Sequence, residues 1–592
     1  MDDPRKQGPQ QGPIDWSEFI KQAQQSGAGA DFNKIKSRFS HLKKRTIIIA
    51  AVVLVLVLAL AYWWFHPAIN IQSIDLWGFL IVILALVTFV LFVFRQIYQT
   101  GMGKREKSPK KVKLFSGLMA IPIAIAVIGA VGWLASQSFF PGNAEKYSTV
   151  LVTEDADFAT DIPEVNYSEI PFIDKDSAIL LGNRTMGTMA DYVSQFEISD
   201  LYSQINYKGQ PVRVSPLNYA DFFKWWANKD GGIPAYVIVN MSTQDTEIVR
   251  LENPIRYSDS DPFFYNVDRH VQLSYPFYMF DEKSFEINDD GEPFWIYPVQ
   301  KRTIGLFGGT TIQRVVLCNA STGECQDFAI EDVPQWVDRA YPAELLIEQY
   351  NWSGALSGGW INSWLGQKGG KQTTPSTDGK SGFNYIAQDD DVWVYSGVTS
   401  ATADNSIIGC VMINQRTAES KFYSVAGATE ESAMRSAEGQ VQHLQYDATF
   451  PLLINVDGQP TYFMALKDAA GLVKMYAMVD IQRYQNVAVG DTLAATEKSY
   501  KQLLVSQGIN VGGSDASAHP SAGSTSGTIA SISPVVLDGN SHYYLILDGQ
   551  QAIFDCPVAS VVDVVRYKVG DVIVLNHGSS EGNVVLVDSI GE

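Results

Sequence analysis

Residues Thr46–Phe65 read TIIIAAVVLVLVLALAYWWF, 20 residues without a charge. At about 1.5 Å of rise per residue, a helix of this length crosses the ~30 Å hydrocarbon core of a bilayer. Two further runs have the same character. Ile74–Phe94 (IDLWGFLIVILALVTFVLFVF) carries only Asp75, near its start, and Leu114–Leu134 (LFSGLMAIPIAIAVIGAVGWL) carries no charge. The sequence therefore predicts a three-span anchor over residues 46–136, with transmembrane α-helices at about 46–65, 74–94 and 114–134. Trp63, Trp64, Trp77 and Trp133 fall near the span ends, where amphipathic rings favour the interface.

Flanking cations give the expected orientation. Lys34, Lys36, Arg38, Lys43, Lys44 and Arg45 precede the first run, and the turn His66–Ser73 has no Lys or Arg. The next loop holds Arg95, Lys104, Arg105, Lys107, Lys110, Lys111 and Lys113. The positive-inside rule then places the N-terminus in the cytoplasm and everything after about Ser136 outside the cell membrane. Residues 1–45 read as a basic, largely disordered cytoplasmic tail rich in Gln, Gly and Pro. The first run begins too late for a cleaved signal peptide and reads as a retained anchor.

Charge divides the chain in the same place. Residues 1–140 carry 16 Lys and Arg against 7 Asp and Glu, leaving 28 against 57 for the rest of the 592 residues. An acidic body lacks the positive footprint that phosphate binding needs, so nucleic acid is not an expected partner.

Residues 147–505 alternate short apolar strands with Asp-Gly, Thr-Gly and Gly-Gly turns and a few helices, an α+β pattern. Antiparallel hairpins are expected at Phe285–Pro298, Arg314–Ile330 and Phe450–Leu466, with helices at Asn218–Asn228 and Thr429–Leu444. Two pairs of segments look alike: FEINDDGEPFWIYPV with PLLINVDGQPTYFMAL, and RVVLCNASTGECQDFAI with CVMINQRTAESKFYSV. Units of a helix plus an antiparallel hairpin bury one sheet face under the helix.

The hairpin Val315–Phe328, and more weakly Val411–Tyr423, resembles those of PepSY-like and cystatin-like modules. In the second, Arg416-Thr417-Ala418-Glu419 departs from the Thr-Gly-Glu turn. More broadly, GLFGG (Gly305–Gly309), DVPQWVDR (Asp332–Arg339) and Pro460–Val479 look like an uncharacterised family of multi-pass membrane proteins from Gram-positive bacteria. The resemblance implies a bacterial cell-envelope setting, two or more such modules in the body, and no particular reaction.

Residues 506–526 form a Gly/Ser/Ala linker, and residues 527–592 read as five short strands. Five strands in so short a segment suggest a small all-β barrel resembling the OB type. Arg566 and Lys568 are its only cations, which favours docking or structure over nucleic-acid binding.

Motifs for chemistry are scarce. The seven His are widely spaced, and H-E-x-x-H, Walker A and CxxC patterns are all missing from the sequence. No catalytic or cofactor-binding residue is singled out, so an enzyme is the less favoured reading. Acidic clusters occur at Asp259/Asp261, Asn288–Glu292 and Asp389–Asp391; turn chemistry explains the first two better, and Asp389, Asp390 and Asp391, opening a strand, are the favoured cation site, with Ca²⁺ as the ion. Cys318 and Cys325 flank a hairpin turn and are candidates for a disulfide or for two reduced thiols. Trp352, Trp360 and Trp364 lie in the Gly/Trp/Ser-rich stretch Asn351–Asp378, either a binding loop or a long loop pinned by its tryptophans. The favoured function is a membrane-anchored, non-catalytic envelope protein whose outer domain binds a protein or cell-wall partner. An envelope hydrolase acting on wall polymer and a scaffold recruiting partners through its spans are the alternatives. Oligomeric state is not legible.

Overall fold

A computed structural model describes residues 44–100, 109–164, 170–375, 382–388, 390–401, 406–507, 509, 523–537, 540–550, 552–558, 561–577 and 584–591. The expected N-terminal tail, except its last two residues, and most of the linker lie outside these. Two compact units are present, one of residues 1–156 and 168–424, the other of 157–167 and 425–592.

The first unit begins with helices α1 (Lys44–Phe65), α2 (Ile74–Thr100) and α3 (Pro109–Ala135). Two of them, α2 and α3, are long and apolar enough to cross a membrane; the described apolar stretch of α1 is the shorter Val55–Phe65. Their aliphatic side chains face outward along most of their length, including Leu60, Val82, Phe89, Ile121 and Ile128.

Helix α4 (Asn143–Ser148) and strand β1 (Thr153–Ala156) lead into three antiparallel sheets. The first contains β2 (Phe196–Ile198), β3 (Ser203–Tyr207), β4 (Gln210–Tyr219), β5 (Ile233–Asn240) and β6 (Thr246–Ile255), with β2 and β3 both pairing along β4. The second is a plain meander of β7 (Ser284–Ile287), β8 (Pro293–Ile304), β9 (Gly308–Asn319) and β10 (Cys325–Ala329). The third joins β11 (Lys371–Thr373), β12 (Asn384–Gln388), β13 (Asp391–Ser400), β14 (Gly409–Asn414) and β15 (Ser420–Tyr423), with β1 added in parallel to β15. Helix α5 (Val267–Ser274) precedes the second sheet, and α6 (Ala343–Leu356) the third. Leu346, Ile347 and Tyr350 of α6 share one core with Ile296, Val315 and Leu317 of the second sheet and Val394, Val411 and Ile413 of the third. Burying each such aliphatic side chain contributes roughly 1.5–3 kcal/mol.

One turn recurs in all three sheets. Asn319 Oδ1 accepts the amides of Ser321 and Thr322 at 3.0 and 2.9 Å, and the Thr322 hydroxyl accepts from the Glu324 amide. Asn414 with Arg416, Thr417 and Glu419, and Asn240 with Ser242, Thr243 and Asp245, repeat every one of these bonds. The fifth residue of each copy has positive φ: Gly323 (76°), Ala418 (60°) and Gln244 (69°). In sequence the copies at Asn319 and Asn414 look alike through their flanking strands, whereas the copy at Asn240, Asn-Met-Ser-Thr-Gln-Asp, shares only its Asn and Thr and a closing acid.

Two local expectations change. The stretch from Asn351 is not a continuous loop: α6 runs on to Leu356, and a single wide turn at Asn362–Gly366 and β11 follow. The amide-rich sequence hid α6 because its buried residues, such as Gln349 (Nε2 donating to Thr310 O at 2.7 Å), are partly polar. The helix expected at Asn218–Asn228 is confined to Phe222–Asn228, because Asp221 caps it by accepting from the Phe223 and Lys224 amides.

The second unit holds a sheet of β16 (Asp447–Ala448), β17 (Leu452–Val456), β18 (Gln459–Lys467), β19 (Val473–Asp480) and β20 (Val487–Gly490), packed with helices α7 (Glu430–Gln440) and α8 (Leu493–Ser506). It also contains a closed barrel of β21 (Gly523–Leu537), β22 (Asn540–Leu547), β23 (Ile553–Pro557), β24 (Val572–His577) and β25 (Val584–Gly591). Strand order around the barrel is β21-β22-β23-β25-β24, with β23 and β25 parallel. Leu545, Phe554, Leu575 and Val587 fill it.

Candidate functional site

The residues that attach the helical anchor to the sheets converge on α5. Its sequence, VDRHVQLS, is capped by Asn266, whose Oδ1 accepts from the Arg269 amide at 3.1 Å. Val267 and Val271, four residues apart, are fully buried and fix which way the other side chains point. Arg269 reaches α1: its Nε donates to Trp63 O at 3.0 Å, and its guanidinium lies 4.1 Å from the Trp63 ring centre. The same guanidinium donates to Pro262 O and Phe263 O. The turn after α1 is held too, with Ile69 N donating to Pro276 O at 2.6 Å and Asn70 Nδ2 to Phe277 O.

A second attachment forms at the end of α3. Ser136 Oγ accepts from the amides of Leu306 and Phe307 at 2.8 and 2.9 Å, while Tyr147 OH donates to Ser136 O. This explains the Gly305–Gly309 turn between β8 and β9. A Cβ on Gly305, at φ 59°, would lie 2.5 Å from Ser136 Oγ, and one on Gly308 would lie 2.2 Å from the Tyr147 hydroxyl.

Between these attachments lies a cavity of about 590 Å³, bounded by Phe65–Ala68 and Ser73–Asp75 on one side and by α5, β8 and residues 279–283 on the other. Asp75, Asp268, Asp281 and Glu282 contribute four carboxylates, against the cations of Lys283 and Arg302. Burial lowers the pKa of His66, which keeps its imidazole neutral near pH 7. Asp268 is the best-held acid: Lys283 Nζ donates to both its oxygens at 2.8 and 2.9 Å, and Tyr297 OH donates at 2.7 Å. Burial works against the Lys283 ammonium, but Asp268 and Asp259 outweigh it and hold its pKa above the ordinary value. Burial lowers the Arg302 pKa, and Arg302 Nε has no hydrogen-bond partner. Asp281 accepts from Gln300 Nε2 at 2.8 Å. Four carboxylates facing two cations leave the cavity acidic and suited to a cationic group.

The residues singled out in the sequence are not gathered here. Asp391 is buried and accepts from Arg416 Nε and Nη2 (2.7 and 2.8 Å), Asn414 Nδ2 (2.7 Å) and Gln335 Nε2 (3.3 Å), which together occupy a carboxylate's acceptor sites. Asp390 is a turn residue with φ 64°, and Asp389 lies outside the described residues. Trp352 packs edge-on against Tyr147 at 4.9 Å. Trp360 and Trp364 stack on each other at 6.1 Å, and Trp360 meets Phe139, just past α3. Cys318 and Cys325 stand opposite one another across β9 and β10, both as free thiols. Asp268, Lys283, Gln300 and Arg302 were missed, because polar and charged residues from separated elements carry no local pattern; the Val267/Val271 spacing after Asn266 was the one available signal for α5.

No protein-family model matches the chain, and no curated protein sequence does. Among solved structures, a tryptophan-to-alanine variant of Synechocystis apocarotenoid oxygenase is 10% identical, covering 52% of this chain and 67% of that one, with a TM-score of 0.16. The cobalt-substituted Synechocystis enzyme is 7% identical with a TM-score of 0.12, covering 50% of this chain and 52% of that one. A third, a glutamate-to-glutamine variant, is 10% identical with a TM-score of 0.14, covering 66% of this chain and 61% of that one. The chain thus spans about half to two thirds of those structures, and scores this low carry no shared fold.

Proposed function

We propose that this chain is a three-span, membrane-anchored protein of the cell envelope, N-terminus cytoplasmic, whose outer body is non-catalytic and binds a cationic protein or wall-polymer partner at the membrane surface. The observation that carries this reading is the acidic cavity at the junction of anchor and sheets. A partner reaching it must approach along the plane where α1 and α3 end. The cation-poor turn 66–73 and the cation-rich loop 95–113 support the orientation. Extracellular barrels of OB type fit the β21-β22-β23-β25-β24 order, and the recurring Asn-x-x-Thr turn fits a series of PepSY-like or cystatin-like hairpin modules.

A wall hydrolase would need two carboxylates free to face one bond. Asp268 is engaged by Lys283 and Tyr297, and Asp281 by Gln300, so a hydrolase would have to rely on Asp75 and Glu282.

The test is photo-crosslinking in intact cells from a benzophenone side chain placed at Glu282, with and without Asp281→Asn. A discrete crosslinked species that Asp281→Asn weakens several-fold supports the reading. An unchanged crosslink pattern in the variant, or none in either protein, overturns it.

A further inference from the structure

Helix α5 presents a further side chain, His270, away from the cavity. His270 lies against the β9–β10 hairpin, where its Nε2 and Gly323 O are 2.8 Å apart. The Tyr257 ring lies over the imidazole at 4.3 Å between centres, and also over Gly323, where a Cβ would come within 2.3 Å of it. Beside His270 stand Cys318, buried, and Cys325, half-buried; the ligating atoms of all three residues lie within 4.8 Å of one another.

The local backbone explains why two sulfurs meet there. Asn319 N donates to Glu324 O at 2.9 Å, so residues 319 and 324 are the hydrogen-bonded pair closing the turn. Their neighbours 318 and 325 are then a non-hydrogen-bonded pair, the closer of the two kinds, with side chains on one face. That geometry brings the thiols together, and α5 adds a nitrogen from a separate part of the chain.

We propose that His270, Cys318 and Cys325 form a three-ligand site for a thiophilic closed-shell cation, Zn²⁺ or Cu(I), with a fourth position open on the half-exposed side. Ligands at about 2.0–2.3 Å from such an ion stand roughly 3.5 Å apart, which rotations about the side-chain bonds supply from the present spacing. Two sulfurs and one imidazole are a donor set these ions share and Ca²⁺ or Mg²⁺ avoid. The carbonyl of Gly323 fixes the ring as outer-sphere carbonyls fix metal-bound histidines. Binding releases the thiol protons. The histidine is the feature a simple disulfide leaves unexplained, since a disulfide needs only the two cysteines. Occupancy would tie α5, which grips Trp63, to the second sheet. The proposal does not rest on the function proposed above.

The test uses full-length protein in detergent, reduced, freed of metal and titrated with Co²⁺. One equivalent is expected to bind per chain with thiolate-to-cobalt charge-transfer absorption that Zn²⁺ displaces. Cys325→Ser should abolish that absorption, and His270→Asn should weaken binding at least ~10-fold. Competition with a Cu(I) chelator separates the two ions. Wild-type protein that shows no charge-transfer absorption overturns the proposal, whatever the variants do. So does a Cys318–Cys325 disulfide found in protein taken from cells whose thiols were blocked at lysis, or a His270→Asn variant that binds as tightly as wild type.

Discussion

The turn at Asn319–Glu324 and the turn at Asn414–Glu419 make the same hydrogen bonds from the same Asn and Thr, yet they have become different kinds of place. In the first, the left-handed position is Gly323, packed under Tyr257, and the residue two beyond the Asn is Ser321. In the second, the left-handed position is Ala418, and the corresponding residue is Arg416, which grips buried Asp391 with two nitrogens. A shared backbone solution fixes the turn and leaves its side chains free for unrelated work. One copy faces α5 and carries the cysteine pair on its flanks. The other reaches into the carboxylates where the three sheets of the unit meet.

That contrast is open to direct attack. The largest effect is expected from Arg416→Ala, which strands the Asp391 carboxylate and should destabilise the unit by about 3 kcal/mol. The matching change Ser321→Ala removes only a hydrogen bond from an exposed hydroxyl to Asn253 O and should cost under about 0.5 kcal/mol. Urea denaturation of both variants checks the ratio, and equal costs would break the comparison. Next, Gly323→Ala adds a Cβ into the Tyr257 ring at a left-handed position and should cost about 2–3 kcal/mol in the same assay.

A smaller effect follows from pH. Burial raises the pKa of Glu286 and of Asp338, both near the second turn, so the folded state binds their protons more tightly than the unfolded chain does. Their contribution to stability is full below the carboxylate's ordinary pKa and is lost as pH rises through the raised values. Glu286→Gln should therefore reduce any gain in melting temperature on going from pH 7 to pH 5, relative to wild type. A variant that gains more than wild type would contradict the sign. A net stabilisation of up to about 1 kcal/mol is expected from Ala418→Gly, because relief of the left-handed backbone outweighs the loss of a half-buried methyl at the edge of the core. A destabilised Ala418→Gly would show that the alanine methyl packs usefully.

Legibility in the sequence followed how local the cause was. The hairpins around Asn288–Gly291 and Val456–Gly458 could be read because their turns announce themselves with Asp-Gly and the flanking strands are apolar. The five-strand pattern after residue 527 could be read for similar reasons. The strand pair Ile233–Asn240 and Thr246–Leu251 could be read as well, but the likeness of its turn to the other two could not, because Gln244 takes a conformation that its type rarely adopts and the shared bonds depend on side chains. The candidate site was nearly invisible. Asp268, Gln300 and Arg302 each look like ordinary polar surface residues, and only the folded chain brings them beside Asp75 and His66. Arg269 and His270 are neighbours in the sequence, yet about 100° of helix rotation sends them to different partners, Trp63 and the Gly323 carbonyl respectively.

The pairing of β1 with β15 sets an order of events in time. Thr153 and Ser420, whose hydroxyls are hydrogen-bonded, are 267 residues apart. As the chain is made, the strand next to the anchor emerges early and then has no neighbour until the last strand of its sheet arrives. Throughout that interval it is an open edge, the kind of surface that adheres to other nascent chains. Any shortened product ending before residue 420 leaves β1 without the only strand it pairs with among the described residues.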